Sequence, residues 1–130
     1  MAFSTIQVNL WLAWLWVILG FVAGFILGIY FHKDEWLGGY TSFKRRLYRL
    51  AHISFFGTAL LNLVFYFSVH DLAASLLLRI ASWGFVVGAI SMPACCLVMA
   101  HNPRLRSIFM IPVVSLIVAG SITFMAVTGL

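Results

Sequence analysis

From 8 to 30 the chain is apolar apart from Asn9, and three further mainly apolar stretches follow at about 47–69, 80–100 and 108–127. A bilayer core about 30 Å thick takes roughly 20 apolar residues per helical crossing. Inside it each backbone N–H and C=O must be bonded within the protein, which leaves helices as the economical way across. Apolar residues make up 64% of the chain, charged residues 8%, and the mean hydropathy is +1.09. Those values exclude a water-soluble domain. In 130 residues there is room for four spans and short loops but no extramembrane domain. The expectation is an all-α membrane protein, a single bundle over 1–130, with the helices running alternately up and down. The N-terminus lacks a basic region and a small-residue cleavage site, so the first span is expected to be retained.

Charge sets the expected orientation. Lys33, Lys44, Arg45, Arg46, Arg49, Arg104 and Arg106 fall in the first and third connections or beside them, against Arg79 alone in the second. By the positive-inside rule both termini are extracytoplasmic. The net charge of +5 then reads as headgroup contact rather than nucleic-acid binding, with anionic phospholipid expected at Arg45, Arg46 and Arg49. Trp11, Trp14 and Trp16 mark one interface of span one, and Tyr30 and Phe31 the other. Gly38 and Gly39 make a turn, and Thr41 or Ser42 caps the helix that starts near Phe43.

Each span carries a face of small or hydrogen-bonding residues suited to close helix contact. In the first these are Gly20, Gly24 and Gly28; in the second Ser54, Gly57, Thr58 and Asn62. The third offers Ala81, Gly84, Gly88, Ser91 and Cys95, and the fourth Ser115, Ala119 and Thr123. Asn62 lies near the bilayer middle and is expected to bond across the bundle. Pro93 removes one donor from the third helix and is expected to kink it.

Two constellations could carry chemistry. His52 and His101 fall at similar depth on different helices, as axial ligands of a b-type haem would, with Arg45 and Arg49 placed for its propionates. The run Met92, Cys95, Cys96, Met99 and His101 offers soft ligands of the kind monovalent copper takes, although the same residues fill irregular apolar space. The adjacent cysteines do not form the CxxC spacing of a disulfide relay. No Asp or Glu lies inside a span, which argues against a proton-coupled exporter. No P-loop, HExxH, GxSxG or dinucleotide glycine pattern occurs.

The segment YRLAHISF resembles the basic, His-containing start of the second span in membrane glutathione transferases. It lacks the Asn and Glu that accompany that pattern there, and no activity is carried across. The stretch WLGGYTSFKRRLYRLAHI, with GTALLNL after it, resembles small bacterial four-span membrane proteins of unassigned function; this implies a bacterial inner membrane and no particular reaction. The expected function is that of a non-catalytic accessory subunit packed against other membrane subunits. A haem-binding electron-transfer module is the alternative, and a homo-oligomeric channel built on the Gly20, Gly24 and Gly28 face, with Asn62, Thr58 and Ser54 lining it, a third.

Overall fold

A computed structural model describes residues 5–130. Its four helices are α1 (Gln7–Tyr30), α2 (Phe43–Val69), α3 (Leu76–His101) and α4 (Met110–Thr128), and among the described residues there is no strand. All four are long and apolar enough to cross a membrane, so the chain is a multi-pass membrane helix bundle. Short 3-10 turns occupy Trp36–Gly38 and Pro103–Phe109.

Local chemistry sets the boundaries. Ser42 has extended backbone and its hydroxyl accepts the Arg45 N–H at 3.1 Å, starting α2. Ser75 does the same for Leu78 at 3.2 Å, starting α3. An N-cap hydroxyl satisfies one of the amide donors that a first helical turn leaves open. The sequence places the third span at 80–100, after a separate interfacial turn. The Ser75 cap instead lets one continuous helix begin at Leu76 and carry an exposed Arg79 in its first turn. Between α1 and α2 the backbone takes positive φ at Leu37, Gly38 and Gly39, and the two glycines make that reversal inexpensive.

The central pair is α2 and α3. Helix α1 packs chiefly on α2 and α4 chiefly on α3, with much lighter contact between α1 and α3 and between α2 and α4. A cluster of Phe65, Val69, Leu78, Ala81, Phe85 and Ala119 forms the apolar core. Phe65 and Phe85 meet there with ring centroids 5.1 Å apart.

The small residues of α3 and α4 meet one another. A Cβ on Gly84 would lie 2.9 Å from the Ala119 Cβ, and one on Gly88 would run into the Leu116 side chain. The Ser115 hydroxyl donates to the Gly84 carbonyl at 2.8 Å. The glycines of α1 serve a different purpose from the backbone approach expected of them. Gly20 receives the ring of Phe56 and Gly24 the imidazole of His52, with distances of 2.8 and 2.7 Å to a hypothetical Cβ. They are sockets for α2 side chains. Gly28, Gly57 and Gly120 have nothing within 4 Å of such a Cβ, so none of the three is a socket for a neighbouring helix of this chain.

Candidate functional site

Polar groups gather at two levels. Toward the start of α1, Asn9, Asn62 and Ser82, all essentially fully buried, join three helices. The Asn9 amide donates to Asn62 Oδ1 at 2.8 Å and to the Ser82 carbonyl at 3.1 Å. The Ser82 hydroxyl donates to Asn9 Oδ1. The Asn62 amide donates to the carbonyls of Thr58 at 2.8 Å and Phe85 at 3.4 Å. Asn62 thus bonds across the bundle as expected, but about two helical turns from the end of α2 rather than midway. Ser54 and Thr58 donate instead to carbonyls of their own helix, Ala51 and Ser54, both at 2.7 Å. Asn9 was legible only as the one polar residue of its span; its partners are set by how the helices pack.

Two prolines create gaps that neighbouring helices fill. Pro93 has no N–H for the Ala89 carbonyl four residues before it, and the Trp16 indole on α1 donates to that oxygen at 2.9 Å. Pro112 likewise frees the Ile108 carbonyl, which takes the Cys95 thiol at 3.4 Å alongside the Met110 N–H. Trp16, read from the sequence as an interface marker, is an interhelix donor here, and the Cys95 thiol bonds backbone between helices. Among the described residues no buried polar side-chain atom lacks a partner.

At the opposite level lies the basic end. Arg45, only 2% exposed, turns its guanidinium under the end of α1 and donates to the carbonyls of Phe31, Lys33 and Asp34 at 3.0, 3.3 and 3.4 Å. Rings of Phe31, Trp36 and Tyr40 surround it, with centroids 5.3–5.7 Å from the guanidinium carbon. Carbonyl oxygens at a helix C-terminus carry partial negative charge and aromatic faces attract cations, so this arginine is stabilised without a carboxylate. It is a cap on α1: both terminal nitrogens bond backbone carbonyls, in place of the propionate or lipid phosphate that the charge pattern suggests. Arg49 lies over the Tyr40 ring at 4.7 Å, and Arg46 is exposed. Among the described residues the one contact within 4 Å between an imidazole or basic group and a carboxylate is His70 with Asp71, at 3.1 Å. The remaining cations of the basic end are not neutralised.

The two candidate haem ligands do not face a common space. His101 Nε2 is hydrogen-bonded to the Tyr48 hydroxyl at 2.8 Å. The His52 ring instead packs into Gly24 by its Nε2 and stands edge-on to Phe56, 5.5 Å between centroids. His52 borders a cleft of about 160 Å³ with Ala23, Ile26, Leu27, Tyr48, Ala51, Phe55 and Leu97, and His101 is not among its walls. Small-molecule sites usually enclose about 300–1,000 Å³. With His101 Nε2 bonded to Tyr48 and outside the cleft that His52 borders, and the Arg45 guanidinium turned under the end of α1, these side chains do not share a space that fits a bis-histidine haem. Nor do His, Cys, Asp and Glu side chains form any group of three able to hold a metal ion, among the described residues. The channel reading loses its interface, because the Gly20 and Gly24 face is covered by α2.

Neither a protein-family model, nor a curated protein, nor a solved structure matches the chain.

Proposed function

We propose that the protein is a small non-catalytic subunit of a larger energy-converting or transport assembly in a bacterial inner membrane. Its helices run up and down with both termini extracytoplasmic. The arrangement is supported by pairs that join the end of one helix to the start of the next, Phe31 with Arg45, and by Tyr48 with His101. The orientation rests on the basic residues at that end, which the positive-inside rule assigns to the cytoplasm and which contact anionic headgroups there.

One observation carries the subunit reading: Gly28, Gly57 and Gly120 open outward with nothing filling them. Apolar outer faces are the ordinary state of a membrane bundle and distinguish nothing. A glycine inside a helix costs about 0.5–1 kcal/mol relative to alanine, and in membranes such notches serve the close approach of another helix. The inner notches, Gly20, Gly24, Gly84 and Gly88, are all occupied, so the unfilled ones are the places for another chain. Crosslinking in native membranes followed by mass spectrometry of co-purifying chains tests this. Gly57→Leu and Gly120→Leu should each lose a partner that the wild type captures, while the helical circular dichroism stays the same. A wild-type protein that runs as a lone monomer in mild detergent, with no partner captured in the membrane, sinks the reading.

A further inference from the structure

The cleft beside His52 is a departure from close packing at the basic end. Its position follows from the contacts of α1 with α3. Asn9 and Trp16, both in the first half of α1, hydrogen-bond to α3; no such bond joins their other halves, among the described residues. The helices are tied at one level and leave a wedge at the other, with Ala23, Ile26 and Leu27 of α1 on one side, Leu97 of α3 on the other and Tyr48, Ala51, His52 and Phe55 of α2 as its floor. Its wall is almost entirely carbon, since the Tyr48 hydroxyl is turned to His101.

The mouth is built differently. Tyr30 of α1 stacks on Trp36 at 5.2 Å, Trp36 meets Tyr48 of α2 edge-on at 6.3 Å, and Tyr48 meets His101 of α3 at 6.0 Å. This chain of rings crosses all three helices just beyond the cleft, the kind of aromatic layer found at headgroup level. Cations stand beyond it. The Lys33 ammonium lies 5.1 Å from the centre of the Tyr30 ring. Lys44 precedes Tyr48, Ala51 and Phe55 by four, seven and eleven residues, which at 100° per residue puts it on the same row, one turn outside the cleft. Arg46 and Arg49 fall on other sides of α2. The carboxylates of this end, Asp34 and Glu35, are exposed, and neither comes within 4 Å of a basic group among the described residues.

We infer that the wedge between α1 and α3 is a binding site for one anionic phospholipid, with an acyl chain along Ala23, Ile26, Ala51 and Leu97, the glycerol region at the aromatic layer, and the phosphate held by Lys44 and Lys33. This deepens, and rests on, the reading of the basic end as a headgroup-contacting surface. It moves the lipid from the residues that the charge pattern picks out, Arg45, Arg46 and Arg49, to a place where apolar wall, aromatic belt and lysines without a carboxylate partner lie in the order of a lipid's own parts. A cleft smaller than an enclosed ligand site suits a chain that passes through it and remains in contact with the bilayer.

Native mass spectrometry of the full chain, released from membranes containing equal phosphatidylglycerol and phosphatidylcholine, tests the site. The wild type should retain one lipid, phosphatidylglycerol in preference. Ile26→Trp, at a half-exposed position, should fill the wedge and release it, and Leu97→Trp should do so from the α3 side, which separates occlusion from any misfolding of α1. Lys44→Gln should keep a lipid bound but lower the preference for the anionic one about five-fold, the effect of one basic residue near such a surface, whereas Arg46→Gln should leave it unchanged. If both tryptophan variants retain phosphatidylglycerol as the wild type does, the wedge is not the site, although the headgroup reading stands. Equal retention of the two lipids by the wild type overturns both. A dimer carrying no lipid would show that a second copy covers the wedge, and would equally overturn the inference.

Discussion

The two polar levels of this bundle make an instructive pair. Near the start of α1 the polar groups are neutral, small and drawn from three helices, and each amide or hydroxyl finds a carbonyl or another side chain. At the basic end a full charge is buried, and it is held by backbone carbonyls and ring faces from one helix end and one loop. The first arrangement ties helix to helix and carries no charge into the apolar medium. The second draws on a helix terminus, where the last carbonyls have no intrahelical N–H and several can turn toward one guanidinium. The difference teaches that in this chain the kind of polar group follows the supply of unbonded backbone, not depth alone.

The largest expected effect comes from breaking the charged level. Arg45→Leu leaves the Phe31 and Asp34 carbonyls without their donor, while Lys33 keeps the Trp36 N–H, and should lower stability by about 2 kcal/mol, since an unsatisfied group costs about 1–3 and water at this rim recovers part. Arg45→Lys keeps the charge but loses the forked geometry and should fall between. Unfolding by sodium dodecyl sulfate in mixed micelles measures both; an Arg45→Leu protein as stable as the wild type would show that the cap is dispensable.

The neutral level should be weaker and more cooperative. Interhelix hydrogen bonds in membranes average about 0.6 kcal/mol, so Asn9→Leu, which removes several at once, should cost about 1–2 kcal/mol in the same titration. Asn9→Leu combined with Asn62→Leu should cost less than the sum, because each asparagine is the other's partner. Strict additivity would mean that the two side chains act independently, and would dissolve the contrast with Arg45.

The smallest effect sharpens the idea that unbonded backbone decides. Trp16→Phe keeps a ring and removes the donor to the Ala89 carbonyl, at an expected cost of about 0.6 kcal/mol. Adding Pro93→Ala restores an N–H four residues after Ala89 and should recover it, whereas Pro93→Ala in the wild type should gain less. A Trp16→Phe defect that Pro93→Ala does not relieve would assign the loss to packing of the indole instead.

The sequence carried the fold more readily than the site, and the reasons are physical. Four apolar stretches of membrane length declare themselves because hydropathy is local, and Ser42 could be placed as a cap because the cap bond reaches only three residues ahead. Asn62 stood out as an expensive polar residue that needed a partner. Its partner Asn9 could not be named, because that pairing depends on the relative rotation and offset of two helices 53 residues apart in number. Arg45 is harder still. Lys44, Arg45, Arg46 and Arg49 are nearly interchangeable as a written pattern, and only the path of the turn through Leu37, Gly38 and Gly39 decides which of them meets the end of α1. The Phe31, Trp36 and Tyr40 rings around Arg45 were a signal available in advance, since aromatic residues before a basic cluster can enclose one of its members. His52 and His101 misled for the opposite reason: equal depth is readable from residue numbers, and direction is not.

The Ala89 carbonyl has a history as well as a position. Pro93 strips its bond when α3 is made, and an unbonded carbonyl in the bilayer core costs several kcal/mol. Its donor, Trp16, belongs to the first span, which leaves the ribosome earlier. The donor that completes the third helix is therefore made before the carbonyl that needs it, and α3 is whole only when packed on α1.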